Sequence, residues 1–363
     1  LGLANNLVKF YVILLTVLLS IFTFNFIEKP FRQRKIISSK SFYSLITFFS
    51  LILIVFCTRI IVTNGAHERV PEILSKKNQS KVEFYNHRVY EHKKESRSVI
   101  LVGDSQLRAI KFDLKKRLKN SNLNYAQSIF DGCQLIINTQ RVDKVSLATK
   151  LDCDIKTQEI RMDFLKNHTN SIVVLGGRLP LILSEERFNN EEGGYEGKMN
   201  DFIQNYDSSI ETLEQRNALI EQEYKNTVMK ILKLNNFVIL IYPIPEVGWN
   251  LPRKLMNLID KNLFKLNKNK FDEELEKNPI TTSYDIYKKR SDKSFKLLNE
   301  IQHPKIIRIY PHKIFCNNKI HNRCVTHSQT DMYYYDNNHL SIKGAELLND
   351  IIMQEIKKIV END

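Results

Sequence analysis

The stretch Ser98-Val-Ile-Leu-Val-Gly-Asp-Ser105 determines which fold this sequence predicts. It begins with a continuous apolar run, which is typical of a strand buried on both faces of a parallel sheet. A segment with a helical pattern, about residues 107–118, follows it. This order places the Ser105 hydroxyl at the carboxyl end of a strand. It also places the Ser105 N–H at a helix N-terminus, where partial positive charge favours an oxyanion.

Strand and helix patterns alternate along the rest of the chain. Further strands are predicted at residues 123–129, 171–175, 237–242 and 305–310, with helices at 205–234 and about 341–360. This alternation predicts an α/β fold with a doubly wound parallel sheet, in which ligands bind beyond the carboxyl ends of the strands. The charged segment 245–289 has no clear periodicity, so we expect an insertion or a lid there.

A second chemical motif, Tyr335-Asp-Asn-Asn-His-Leu-Ser341, precedes the last predicted helix. A serine becomes a good nucleophile when an imidazole removes its proton, and a carboxylate must hold that imidazole in the right tautomer. Asp336 and His339 can supply both groups from one loop, which Ser341 would anchor as a helix N-cap. Taken singly, Gly-Asp-Ser could be a helix cap and Asp-x-x-His a surface turn. Together they predict a Ser105–His339–Asp336 catalytic triad.

The N-terminal part of the chain predicts two transmembrane helices. Residues 10–27 and 41–58 are apolar and carry no formal charge, and about 20 residues cross a bilayer core of about 30 Å. A buried core helix or a signal-peptide core would also give such a run, but no small-residue cleavage site follows the first one. The chain begins at Leu1, almost inside a span, so we expect it to be the tail of a longer membrane protein.

Charge predicts how these spans are oriented. The chain has 363 residues and a net charge of +13, and residues 1–63 carry seven basic side chains against one acid. Five of the seven lie in the connector 28–40, which predicts a cytoplasmic loop and places everything after residue 62 in the periplasm or outside the cell. Charge beside apolar segments favours a lipid bilayer over nucleic acid as partner. The predicted organisation is a membrane part (1–63), a stalk (64–97) and an outer domain (98–363).

The cysteines give a separate indication of the compartment. Apart from Cys57 in the second span, four cysteines lie in the outer part. Their spacing favours two local disulfides, Cys133–Cys153 and Cys316–Cys324, from three possible pairings. A zinc site is the alternative for the second pair, because two histidines lie within the same twelve residues. That spacing fits no common zinc pattern, so no metal is predicted.

The chain resembles the C-terminal end of an acyltransferase-3 membrane protein fused to an SGNH (GDSL-type) domain, of the O-antigen acetylase type. The matching stretches, in order, are Phe26-Ile-Glu-Lys-Pro-Phe-Arg32, Gly103-Asp-Ser105, Gly132-Cys133, Pro243-Ile-Pro-Glu-Val-Gly-Trp249, Cys316…Cys324 and Asp336-x-x-His-Leu-Ser341. The resemblance implies an SGNH-hydrolase-like three-layer domain. Its implied activity is transfer of an acyl group, usually acetyl, to hydroxyls of a surface polysaccharide such as the O-antigen of lipopolysaccharide, or of a lipid-linked glycan. The acyl group would come from cytoplasmic acetyl-CoA through the acyltransferase-3 membrane domain, most of which this chain lacks.

The sequence departs from the family pattern at the oxyanion hole. The asparagine block is not evident, and Gly176-Gly-Arg-Leu-Pro180 stands where it would fall. We therefore expect Arg178 and the Gly132 N–H to serve as oxyanion donors, with Asp104 and Trp249 among the oxyanion- or substrate-binding residues. Alternatives stay open: Arg178 could form a salt bridge at a strand end, Gly132 could serve only the turn, and Trp249 could belong to a packed rim.

Two other functions are compatible with these residues. A membrane-anchored extracellular carbohydrate esterase or deacetylase would use the same triad with water as acceptor. A polysaccharide-binding module without catalysis would have no need of the triad at all. Membrane tethering and the family resemblance favour transfer.

Overall fold

The computed structural model describes residues 6–29, 39–62, 73, 88–91, 97–121, 123–205, 212–260 and 268–362. The chain divides into two units, Leu1–Arg69 and Val70–Asp363.

The first unit contains two apolar helices. Helix α1 spans Asn6–Thr23 and runs into a π-helical turn, Phe24–Glu28, while α2 spans Ser39–Val62. Within the described residues, Tyr43–Val62 is long and apolar enough to cross a membrane, whereas the apolar part of α1, Tyr11–Thr23, is shorter than a full span. One of the two predicted spans therefore meets the length criterion. The predicted cytoplasmic loop lies mostly at 30–38, outside the described residues, so the orientation stays a prediction.

The second unit is built on a central sheet. The strands of the described residues are β1 (Arg88–Glu91), β2 (Ser98–Gly103), β3 (Asn124–Ile129), β4 (Thr139–Asp143), β5 (Ile172–Leu175), β6 (Asp201–Asn205), β7 (Phe237–Ile241), β8 (Thr281–Ser283), β9 (Ile306–Ile309) and β10 (Arg323–Val325). The central sheet has the order β1-β3-β2-β5-β7-β9, and all its pairings are parallel except that of β1 with β3. The chain leaves β2 on one side toward β3 and continues on the other side at β5. The carboxyl end of β2 is therefore the topological switch point, where such sheets bind ligands.

Helices cover both faces of this sheet. They are α3 (Ser105–Lys119), α4 (Ile155–Lys166), α5 (Leu179–Ser184), α6 (Leu213–Lys233), α7 (Leu251–Asp260), α8 (Lys268–Lys277), α9 (Tyr284–Glu300), α10 (His312–Phe315) and α11 (Ile342–Asn362). Alternate residues of β2 enter different cores: Val99 and Leu101 pack with α3 and α11, whereas Ile100 and Val102 pack with α4 and α6. The predicted three-layer α/β architecture is confirmed, and the apolar run of β2 is explained by burial on both faces.

The predicted start of the outer domain, residue 98, is too late. Strand β1 lies in the segment predicted as a stalk, yet it pairs with β3 at the sheet edge, and Ile73 is fully buried in one of the cores. The four residues of β1 include both a basic and an acidic side chain, so their pattern did not indicate a strand. The other residues predicted as stalk, apart from Arg97, lie outside the described residues.

Two further predictions concern segments whose structure the sequence did not specify fully. The helix predicted at 205–234 begins only at Leu213, because residues 201–205 form β6, which pairs with β4. The segment 245–289, predicted as an insertion or a lid, packs on the domain where it is described: Leu251 and Leu255 of α7 are fully buried in the first core, and β8 pairs with β10.

Both predicted disulfides, Cys133–Cys153 and Cys316–Cys324, are present. The second uses the two thiols that a zinc site would have needed.

Candidate active site

The Ser105 side chain lies at the carboxyl end of β2, where it begins α3. Asp104 caps this helix: its Oδ1 accepts a hydrogen bond from the Gln106 N–H at 2.9 Å, and its Oδ2 accepts one from the Arg178 N–H at 2.7 Å. Burial raises the pKa of the Asp104 carboxyl above its ordinary value, although both backbone hydrogen bonds act to lower it. Because both oxygens are used inside the protein, Asp104 anchors the helix start. That Asp104 also takes part in oxyanion or substrate binding stays a prediction.

The loop before α11 brings an imidazole and a carboxylate to this hydroxyl. His339 Nε2 lies 2.8 Å from Ser105 Oγ, and His339 Nδ1 lies 2.7 Å from Asp336 Oδ2. Burial raises the pKa of Asp336, but the His339 hydrogen bonds and charge outweigh it and hold that pKa below its ordinary value. An ionised carboxylate only accepts hydrogen bonds, so Nδ1 carries the proton and Nε2 accepts from the serine hydroxyl. This tautomer is the one that general-base catalysis requires.

Neighbouring groups hold this loop in place. Asp336 Oδ1 accepts hydrogen bonds from the backbone N–H groups of Asn338 and His339, at 2.9 and 2.8 Å, which closes the turn on itself. Ser341 caps α11 as predicted, because its Oγ accepts from the Gly344 N–H at 3.2 Å. The Tyr335 ring stacks on the imidazole, with ring centroids 5.4 Å apart. The imidazole of His339 is therefore held by its own turn, by the following helix and by a ring stacked on one of its faces.

The segment 243–249 also supports the loop before α11, residues 335–341, which we call the catalytic loop after its candidate role. The backbone N–H groups of Val247 and Gly248 both donate to the Asn337 carbonyl, at 2.9 and 3.0 Å. Trp249 follows them, packs against the first core and has the Lys254 ammonium 4.6 Å from its ring. These contacts fit the packed-rim alternative for Trp249. The hydrogen bonds from this segment to the loop that carries His339 are made by backbone N–H groups, not by Trp249.

Arg178 lies in a buried ion-pair network. Its Nε donates to Glu246 at 2.6 Å and its Nη2 to Glu196 at 2.5 Å, and Nη2 also contacts Glu246. Arg290 reaches the other oxygen of Glu246 at 3.0 Å, and Glu196 accepts from the Asn338 side chain at 3.4 Å. The Nε and Nη2 groups of the guanidinium therefore bind carboxylates, which fits the salt-bridge alternative for Arg178. Arg178, which follows the end of β5, forms salt bridges with Glu196 and Glu246.

Burial and charge act against each other in this network. Burial acts to raise the pKa of Glu246, but Arg178 and Arg290 hold it below its ordinary value. Glu196 has only Arg178 as an ion-pair partner in the described part of the chain, and burial raises its pKa. The network links both sides of the site, because Arg178 holds Asp104 through its backbone and the catalytic loop through the two glutamates.

Two backbone N–H groups remain as candidate oxyanion donors, those of Ser105 and Gly132. Neither donates a hydrogen bond to any described residue. Gly132 has φ +64° in a tight turn closed by the Cys133 N–H on the Phe130 carbonyl, and the Phe130 N–H binds the Gly103 carbonyl at 3.1 Å. The turn is thus tied to the end of β2, two residues before Ser105. The positive φ favours glycine at position 132, and a Cβ there would lie 2.2 Å from an Arg141 side-chain nitrogen, which would have to move.

Glycine is also required at position 177, where the asparagine block would fall. Gly177 has φ +154°, and a Cβ there would lie 1.9 Å from Gln134 Oε1 and 2.8 Å from Asp104 Oδ2. The close approach brings the chain after β5 against the helix cap.

Within the described residues, no group of three metal-ligating side chains is found.

Sequence reasoning missed three charged residues of this region: Glu196, Glu246 and Arg161. Glu246 lay inside a quoted motif but had no predicted role, and Glu196 lies in an irregular segment with no pattern. Arg161 gave a usable signal: Gln158, Arg161, Met162 and Leu165 are the buried residues of α4, at the spacing of one helix face. A charged residue on an apolar face is unusual and points to a specific role.

The model of SGNH domains fused to AT3 domains matches residues 75–354. The periplasmic domain of a lipopolysaccharide acetyltransferase from Salmonella ser. Paratyphi A is 17% identical, with a TM-score of 0.43, covering 73% of this chain and 85% of that chain. A proposed acylhydrolase from Bacteroides fragilis is 11% identical, with a TM-score of 0.35, covering 79% and 97%. No curated protein matches the sequence.

Proposed function

Because the chain belongs to the family of SGNH domains fused to AT3 domains, we propose that it is an O-acyltransferase acting on hydroxyls of a cell-surface polysaccharide. The observation that carries the proposal is the continuous hydrogen-bond chain from Ser105 Oγ through the His339 ring to Asp336. In this proposal Ser105 is the nucleophile, His339 the general base and acid, and Asp336 the group that orients the imidazole. The acyl group is acetyl.

In the first half-reaction, Ser105 Oγ attacks the carbonyl carbon of the acyl donor while its proton passes to His339 Nε2. The carbonyl π pair moves onto oxygen, and the anion so formed accepts hydrogen bonds from the Ser105 and Gly132 N–H groups. The pair then re-forms the carbonyl, the donor's leaving group departs with the proton from His339, and an acetyl ester remains on Ser105.

The second half-reaction repeats these steps with a sugar hydroxyl. His339 Nε2 removes the hydroxyl proton, the sugar oxygen attacks the acetyl carbon, and the Ser105 oxygen leaves and takes the proton back. The product is an O-acetylated sugar and a free serine. Water in place of the sugar gives acetate, so the same residues would serve an esterase, and the acceptor distinguishes the two activities.

The donor side of the proposal follows from the fusion that characterises the family. AT3 domains are membrane domains, and α2 offers a helix long enough to cross a bilayer. We place the SGNH domain outside the cytoplasm, where its two disulfides are stable, with acetyl-CoA as ultimate donor through a membrane partner. A cysteine introduced at Ser146, in an exposed turn, should react with a membrane-impermeant maleimide in intact spheroplasts. Protection until lysis would contradict this topology.

The activity is tested with the full chain in detergent, an aryl acetate as donor and an O-antigen oligosaccharide as acceptor. We expect an acetyl group on Ser105 by mass spectrometry and acetyl ester on the sugar. Ser105→Ala should reduce product by roughly 10³-fold or more, whereas Ser146→Ala should leave it unchanged. If acetate is released at the same rate with and without the oligosaccharide, and no acetyl ester forms on the sugar, the protein is an esterase. If the unmodified chain forms no acyl-enzyme, the remaining interpretation is a polysaccharide-binding module without catalytic activity.

A further inference from the structure

Arg161 is a fully buried arginine close to the candidate active site. It lies on α4, and its side chain makes five hydrogen bonds, of which the longest runs from Nη1 to Cys133 Sγ at 3.8 Å. Nη1 donates to the Cys133 carbonyl at 2.8 Å, and Nη2 donates to the carbonyls of Gly103 and Ser128 at 3.1 and 3.2 Å. Nε donates to Ser128 Oγ at 3.3 Å, and the guanidinium lies 4.9 Å from the centre of the Phe130 ring.

All of these acceptors are neutral. Among the described residues, no carboxylate lies within ion-pair distance of Arg161, in contrast to Arg178, which has two. Burial lowers the pKa of Arg161 to about 9, and the charge of Asp104 offsets this only in part. The side chain is therefore still a cation at neutral pH. A buried cation without a carboxylate is expensive to maintain, so its presence calls for a specific use.

The carbonyls that Arg161 binds belong to the two segments that carry the candidate oxyanion donors. Gly103 stands two residues before Ser105, and Cys133 directly follows Gly132. Ser128 is near the end of β3, just before the turn that contains Gly132. One rigid, planar guanidinium thus fixes the spacing between both segments, and arginine suits this because its donors have a fixed fork geometry.

We propose that Arg161 is the positioning residue of the oxyanion hole. It holds the Ser105 and Gly132 N–H groups at the separation that one tetrahedral oxygen needs. Its buried charge also stabilises the anion that forms when the carbonyl π pair moves onto that oxygen. The inference rests on the proposed function, in which Ser105 attacks an acyl carbon. Arg161 itself touches neither donor nor acceptor, and it acts through the backbone that it binds.

The test compares two acyl donors that differ in one atom, 4-nitrophenyl acetate and its thiono analogue, with sulfur in place of the carbonyl oxygen. Sulfur is a poor hydrogen-bond acceptor, so the ratio of the two acylation rates measures how much the oxyanion hole contributes. With the full chain in detergent, Arg161→Gln should lower kcat for the oxygen ester by about 10²–10³-fold, as loss of an oxyanion donor does elsewhere. The kcat for the thiono ester should fall much less, so the ratio of the oxygen-ester rate to the thiono-ester rate becomes smaller.

Matched variants separate positioning from general destabilisation. Leu165→Ala removes a fully buried side chain from the same helix and should lower the melting temperature without changing the oxygen-to-sulfur ratio. Arg161→Lys keeps the charge but not the fork, so its ratio should lie between those of the glutamine variant and the unmodified chain. If Arg161→Gln does not fold, the oxygen-to-sulfur ratio is measured in Arg161→Lys and Ser128→Ala instead. Ser128→Ala removes one hydrogen-bond acceptor of Arg161, the Ser128 Oγ.

The outcomes distinguish this inference from the proposed function. If the unmodified chain forms no acetyl ester on Ser105, the proposed function fails and takes the inference with it. If it forms the ester and every folded Arg161 or Ser128 variant keeps the unmodified ratio, Arg161 is only a structural residue and the inference alone is overturned. A reduced ratio in these variants, with Leu165→Ala unchanged, supports it.

Discussion

Replacing Arg178 by methionine tests whether the buried ion-pair network stabilises the domain. Methionine is an unbranched apolar side chain of similar length and carries no charge and no donor. The change leaves Glu246 with Arg290 as its remaining partner. It leaves Glu196 with the Asn338 side chain, a neutral donor. Both carboxylates lie where water does not reach, with side-chain exposures of 3% and 0%.

The expected loss of stability is large. Removing one partner of a buried ion pair destabilises a protein by about 3–5 kcal/mol, because the other charge remains buried without compensation. For a domain of roughly 250 residues, each kcal/mol lowers the melting temperature by about 2–4 °C, which gives a decrease on the order of 10 °C. Glutamine at position 196 in the methionine variant should restore part of this loss, since a neutral amide tolerates burial better than a carboxylate.

The pH dependence gives a second check with a definite sign. Without Arg178, burial drives the pKa of Glu196 in the folded state further above its unfolded value. The folded chain then binds a proton that the unfolded chain does not, so stability falls as pH rises through that interval. The difference in stability between Arg178→Met and the unmodified chain should therefore be largest at neutral pH and shrink as pH falls.

The assay is thermal unfolding of the full chain in detergent, followed by circular dichroism at several pH values. A melting temperature at neutral pH within about 2 °C of the unmodified chain would refute the reasoning, as would a deficit that grows on acidification. The acyl-transfer kcat should fall as well, because Glu246 precedes the two N–H groups that hold the catalytic loop.

Three further changes test other parts of the site. Asp336→Asn should keep the fold but lower kcat on the order of 10⁴-fold in the aryl acetate assay, because an amide no longer selects the required imidazole tautomer. Gly132→Ala should lower both activity and melting temperature, because its Cβ would meet a guanidinium nitrogen at 2.2 Å, whereas Gly193→Ala, at φ +87° with no neighbour within 4 Å, should lower only the melting temperature. Replacing Cys133 and Cys153 by serine should cost about 3 kcal/mol in denaturant unfolding, as expected for a sequence separation of 20 residues, and an unchanged transition would show that the bridge adds nothing.

The elements buried on both faces could be predicted from sequence. The strands β2, β5 and β7 differ from their predicted limits by one residue at most, because a sheet covered by helices on both sides leaves an unbroken apolar run. The edge strand β1 and the short pairs β4–β6 and β8–β10 were missed. Few of their residues need to be apolar, so their pattern is weak.

The candidate site divides in the same way. Ser105, Asp336 and His339 could be found because a motif after a strand and a motif before a helix must meet at one sheet edge in this fold. The surroundings could not be found. Whether Arg178 faces an oxyanion or a carboxylate depends on Glu196 and Glu246, and no rule of spacing links these residues in sequence. The role of Gly132 depends on a turn whose geometry only the folded chain reveals.

The candidate nucleophile and its base lie 234 residues apart, near the beginning and the end of the SGNH domain. During synthesis the serine emerges first and has no partner until almost the whole domain has been made. If Ser105 and His339 act as proposed, a nascent chain, or one that ends before the last loop, lacks the imidazole that would activate its hydroxyl. In the proposed mechanism, the two side chains can meet only after synthesis has reached the last loop, so activity would require a nearly complete domain.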